Sequence, residues 1–219
     1  VIKKYSSTTN TLTTTTDYTA RRGRSSIEFQ YKHHAGQETR IDPSVSNIVD
    51  VYLLERTYDN LFRIWLQDGG SKPDVSTADQ LRINYSGTLN PLKSLSDQII
   101  YHPVKYKILF GSNADEQLQA TFKVVKNPKT NVSDAVVKTR VIAAINEFFA
   151  LDNWDFGDSF YFTELAAYIH NQLAPDLLTA VIVPNQSGQG FGSLFQLDSA
   201  ADEIFISGAT VDDVSIITA

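Results

Sequence analysis

The residues best able to bind a metal or move a proton near neutral pH are four histidines, His33, His34, His102 and His170. Their spacing suits neither task. His33 and His34 are adjacent, so an extended chain turns them to opposite faces, and the other two stand alone. The densest carboxylate cluster is LDNWDFGD, with Asp152, Asp155 and Asp158. A calcium loop needs carboxylates at alternate positions and a glutamate further on, and this spacing offers neither. A glycosidase-like pair drawn from Asp152, Asp155 or Glu164 would need carboxyl groups about 5–9.5 Å apart in an open cleft. The plainer reading makes the cluster a connection between two helices. Asp158 is then the cap of the second helix, and Trp154 and Phe156 pin the link to the core. The glycines of GQGFG (Gly188, Gly190, Gly192) resemble a phosphate cradle in composition only. No lysine follows them, and the next segment, SLFQL, is strand-like where a cradle must open a helix. With Cys 0 there is no thiolate, and no serine lies in a G-x-S-x-G elbow. We assign no catalytic residue, no metal ligand and no cofactor, and read the chain as non-enzymatic.

The elements that position these residues follow from periodicity. Positions 6–16 hold mainly Ser and Thr and read as a loop, an edge strand or a cut end. Arg21, Arg22 and Arg24 then form the one dense basic run, a solvated loop or a contact for a phosphate or acidic partner. Ile27, Phe29 and Tyr31 alternate with polar residues, which predicts a half-buried strand over 27–33. A second strand is expected at 48–54. Tyr58, Leu61, Phe62, Trp65 and Leu66 fall at helical spacing, capped by Thr57 and stopped by Gly69-Gly70. Residues 71–98 are ambiguous, although Ser76 and Asp79 have capping-box spacing. Alternation over 104–110 and again over 118–124, across a polar link, predicts a hairpin. Ser133 opens a helix whose stripe is Val137, Val141, Ala144, Ile145, Phe148 and Phe149, and a second helix carries Phe162, Leu165, Ala166, Ile169 and Leu173 to Pro175. Short strands follow at 177–183, 194–197, 203–207 and 214–218. The first is apolar on both faces and is expected at the centre of a sheet. The order predicts an α+β fold, with mixed or antiparallel sheets, a few packed helices and two small subdomains, 1–98 and 99–219.

Charge and composition narrow the function. The 219 residues carry a net charge of −6, and residues 151–219 hold ten Asp/Glu with no Lys or Arg. Such a stretch cannot neutralise nucleic-acid phosphates or an anionic bilayer, so neither partner is expected. It reads as a solvated acidic face or as a patch for a basic protein. No run approaches the ~20 apolar residues of a membrane span. A chain with Met 0 that begins at Val1 is expected to lack its translated start. Tyr 10, Phe 12 and Trp 2 make it rich in the aromatics favoured at interface cores. FGDSFYF at 156–162 crowds four aromatics together, which reads as core throughout or, since one helical stripe cannot bury them all, as core with part facing a partner.

Three long, ordered segments go beyond composition: RIDPSVSNIVDVYLLERTYD at 40–59, HPVKYKILFGSNADEQLQATFKVVKN at 102–127, and VIAAINEFFALDNWDFGDSFYFTELAAYIH at 141–170. Together with the ending from Val181 to Ala219, they resemble the C-terminal portion of the wedge proteins of T4-like phages, in the baseplate J-like family. The resemblance spans most of 40–219 and little of the Ser/Thr-rich start. It implies a structural subunit of the contractile tail baseplate in the virion, assembled in the host cytoplasm. Its implied partners are a second copy of itself as a homodimer within a ring around the hub, other wedge subunits, and as a further candidate the sheath initiator. It also implies a part in the switch that triggers sheath contraction, and it brings no catalytic residues. The alternative is a carbohydrate- or receptor-binding domain of a virion protein, which would need exposed Trp or Tyr. We expect both Trp65 and Trp154 to be buried.

Overall fold

A computed structural model describes residues 2–6, 11–15, 28–30, 48–90, 98–186 and 196–218. Strands β1 (Ile2–Ser6), β2 (Thr11–Thr15) and β3 (Glu28–Gln30) form an antiparallel sheet in the order β2-β1-β3. The Ser/Thr tract therefore supplies an edge strand, where β-branched threonine is at home. Strand β4 (Ile48–Leu53) leads into α1 (Arg56–Asp68), which ends where Gly69 and Gly70 take positive φ. The cap position is Glu55 and it makes no side-chain cap bond, so Thr57 lies inside the helix and does not cap it. Leu61 is exposed as well. The buried stripe is the narrower one of Phe62 and Leu66, with Tyr58 and Trp65 half-buried beside it.

Helix α2 (Ala78–Leu89) occupies the ambiguous stretch. Its capping box is Thr77 with Gln80, one residue on from the Ser76/Asp79 spacing. The Ser76 hydroxyl instead donates to the Glu55 carboxylate, which also accepts from the Tyr85 hydroxyl at 3.0 Å. Strands β5 (Gln98–Pro103) and β6 (Lys105–Leu109) follow almost without a break. β5 runs parallel to β4, and the Val104 N–H donates to the Leu53 carbonyl at the junction. The boundary set at 98/99 thus falls at the start of a strand paired with β4, and α1 packs on Ile206 further along the chain.

The expected hairpin does not form. β6 pairs in parallel with β11 (Glu203–Ser207), whereas β7 (Ala120–Lys126) lies between β9 (Leu177–Pro184), antiparallel, and β12 (Val214–Thr218), parallel. Helix α3 (Asp134–Phe148) starts at Ser133, whose hydroxyl accepts the Val136 N–H, and α4 (Phe162–Leu173) packs beside it. Asp158 does not cap α4, because a short strand β8 (Ser159–Tyr161), paired with β10 (Gln196–Asp198), intervenes. The fold is α+β, with small sheets of parallel and antiparallel pairs around four helices among the described residues. Among the described residues β9 is an edge strand and not a central one.

The main core gathers Phe110, Phe122, Phe149, Trp154, Phe160, Phe162 and Phe205 between α3, α4 and the β7 sheet. Phe110 enters it from a left-handed backbone, φ 66, followed by Gly111 at φ 69. A Cβ on Gly111 would sit 1.9 Å from the Gly208 carbonyl oxygen. Two predictions follow from this packing. Ile145→Ala, at a fully buried site on α3, should cost roughly 2–5 kcal/mol, while Lys138→Ala stays within about ±0.5 kcal/mol; equal denaturation midpoints would reassign the helix face. Gly111→Ala adds overlap with Gly208 to about 1–3 kcal/mol of backbone strain, so its thermal midpoint should drop well below the parent's, and an unchanged midpoint would contradict the close approach.

Candidate functional site

The LDNWDFGD connection begins where α3 ends. A 3-10 turn over Leu151–Asn153 carries the chain round, and the Asn153 amide donates to the Glu147 carbonyl at 2.8 Å. The Trp154 indole N–H donates to the Phe148 carbonyl at 2.8 Å, which satisfies the helix end and seats the ring against Phe149 and Phe205. Asp158 folds back, its carboxylate accepting the Asp155 N–H at 2.7 Å. Its carbonyl accepts both the backbone N–H and the hydroxyl of Ser199. Phe156 is half-buried against the core, and Gly157, at φ 70, donates to the Glu203 carbonyl at 3.3 Å. These bonds hold the loop to the end of α3, to Ser199 and to β11. No group of three His, Cys, Asp or Glu side chains able to hold a metal occurs among the described residues, and Glu164 stands exposed on α4.

Sequence periodicity gives no sign of the buried polar centre on α1. Asp59 is 3% exposed. Its carboxylate accepts from the Tyr106 hydroxyl at 2.6 Å and from the Arg63 guanidinium at 2.9 Å, and Arg63 also donates to the Phe149 carbonyl at 3.0 Å. Burial, reinforced by the bond to Asp59, pushes the Tyr106 phenol well above its usual range, so it stays a donor. The only signal for this in the sequence is an Asp four residues before an Arg on a helix, which a surface pair would share.

His102 lies on β5 with its Nε2 2.7 Å from the Asp50 carboxylate and its ring stacked on Tyr52 at 5.1 Å. Parallel register sets Tyr52 opposite His102. Burial, then the carboxylates of Asp50 and Asp202, raises the Tyr52 phenol above its ordinary value, and Lys105 opposes them. An imidazole beside a carboxylate is half of a nucleophile-activating set, but no hydroxyl among the described residues bonds to this ring. His170, in the last turn of α4, has an Nδ1 without a hydrogen-bond partner. His33, His34, the RRGR run and the GQGFG loop lie outside the described residues. Trp154 is buried as expected, but Trp65 is only half-buried and the Lys72 ammonium lies over its ring. In FGDSFYF the phenylalanines face the core, and Tyr161 alone is exposed.

No model of a known protein family matches this chain, and no curated protein matches it in sequence. No helix among the described residues is long and apolar enough to cross a membrane.

Among the described residues three carboxylates are held below their ordinary value. The Arg140 guanidinium and the Thr130 hydroxyl hold Asp176 below the ordinary value, Ser159 and Gln196 do so for Asp198, and Lys105 for Asp202. A carboxylate depressed in the folded state stabilises above its unfolded value near 3.8, and that contribution disappears as pH falls through the folded value. Denaturant midpoints should therefore fall between about pH 5 and pH 2. Asp176→Asn should flatten this fall, and an unchanged slope would remove Asp176 from the response.

Proposed function

We propose that the chain is the C-terminal portion of a baseplate wedge subunit of a T4-like contractile phage tail. In this reading it is a non-enzymatic assembly protein. It builds the ring around the hub through contacts with a second copy, with other wedge subunits and with the sheath initiator, and it shares in the rearrangement that triggers contraction. The observation that carries the reading is the ordered run of aromatic-rich segments at 40–59, 102–127 and 141–170. Within the described residues those segments supply β4, the strands β6 and β7, and the helices α3 and α4 with their connection, which contribute most of the main core. A resemblance spread over core elements in the same order is harder to produce by chance than one confined to a single loop.

The Asp158 carboxylate supports the same reading, since it accepts the Asp155 N–H and so serves to hold the connection together. The ring faces of Phe62 and Trp65 carry the Lys72 ammonium, which disfavours sugar stacking there and with it the receptor-binding alternative.

Self-association is the testable consequence, because closed rings require repeated like contacts. Light scattering after size exclusion should show a dimer or larger species at micromolar concentration. A chain that remains monomeric at high micromolar concentration would defeat the self-association part.

A further inference from the structure

The β12-β7-β9 sheet has two faces of different character. Phe122, Val124, Val214 and Ile216 lie on the side packed by α3 and α4. Register puts the alternate residues together on the other side. Lys123 is flanked by Val181 on β9 and Ser215 on β12, Val125 by Thr179 and Ile217, and Thr121 by Val183. Val181 is 50% exposed and Ile217 43%. The result is a β-branched apolar surface with one ammonium at its middle, and Lys123 has no ion-pair partner among the described residues.

We propose that this face docks a different protein, one that presents apolar side chains around a single carboxylate. Charge complementarity selects the occupant. An apolar partner that covered Lys123 would bury an unpaired ammonium, which costs several kcal/mol, so the partner must bring an anion to that point. A second copy of this chain fits poorly, because a two-fold contact centred on the face sets Lys123 against Lys123. Side chains make the contact, since the β9 edge offers little to another strand. The Asn185 N–H donates inward to the Gln119 carbonyl, so alternation turns the backbone groups of Ala180, Ile182 and Pro184 toward the open edge. Pro184 has no N–H to give, and the register breaks at Val125/Lys126 near the other end. The inference stands on this geometry and does not require the baseplate reading.

The test uses three soluble β-hairpin peptides that differ only at the centre of one valine-bearing face, where they carry Glu, Gln or Lys. Fluorescence polarisation should show the Glu peptide binding at least about tenfold tighter than the Lys peptide, a modest preference of about 1.4 kcal/mol. Lys123→Glu should reverse that order, and Val181→Asp should abolish binding. Lys123 and Val181 are exposed, so both variants should keep the parent's thermal midpoint, and Val181→Thr should retain binding as a strand-compatible control. Equal binding of all three peptides, or binding of none, overturns the proposal. So does an oligomer of the parent chain that Val181→Asp dissociates, since the occupant would then be a second copy.

Discussion

The Asp59 carboxylate is the constraint from which the packing can be followed outward. A carboxylate that loses nearly all contact with water must find donors inside the protein, and leaving one unmet costs a large part of a domain's stability. Tyr106 and Arg63 provide them, and each choice fixes a piece of the fold. The Tyr106 bond seats α1 across β6, with the phenol ring stacked on Phe62 at 4.5 Å. The Arg63 bond reaches the Phe149 carbonyl and so anchors α1 to the end of α3. With β6 held, its parallel pairing to β11 brings the Gly208 N–H within 2.8 Å of the Leu109 carbonyl. The backbone of Gly208 then lies so close to Gly111 that no side chain fits there, and Phe110 is turned into the core by its positive φ. A polar bond on a helix thus propagates, strand by strand, to the placement of the central aromatic ring.

The parts legible in the sequence are those decided locally. The stripes of α3 and α4 were readable because each is wide and the helices sit directly on the core. Glycine stops α1 as expected. What failed was pairing. Alternation tells which side of a strand is buried and says nothing about its neighbour, so β6 and β7 were joined as a hairpin although their partners lie far along the chain. Between them Phe110 and Gly111 leave β6 with positive φ and the Phe110 N–H bonds the Leu118 carbonyl, after which β7 pairs with β9 and β12 and not with β6.

Apolar content misled in a second way. Apolar residues on both faces of Leu177–Val183 predict a central strand, yet among the described residues β9 is an edge with one face open. Leu61 on α1 was likewise counted into a stripe and is exposed. In both cases the sequence pattern reports apolar surface without saying whether this chain covers it. Helix α2 shows the converse. Leu81, Tyr85 and Leu89, at i, i+4 and i+8, make only a narrow stripe, so its capping box is the stronger local mark.

Charge behaves differently in space from its distribution along the chain. The acidic residues 151–219 look like a single patch in sequence, but the fold lays β11 beside β6, which carries lysines from the middle of the chain. Lys105 then pairs with Asp202 at 2.6 Å, Lys107 approaches Glu203 at 3.8 Å, and Arg140 on α3 pairs with Asp176. Exposed pairs of this kind contribute little to stability, typically about 0–1 kcal/mol, so their effect is mainly to offset charge. A basic partner that sought the acidic third would find these three carboxylates already engaged. Lys123, on the open sheet face, has no such neighbour among the described residues, because Val181 and Ser215 flank it in the register that the strands impose. Among the described residues this leaves one cation without an ion-pair partner on an apolar face, a feature that appears only when the three strands are laid side by side.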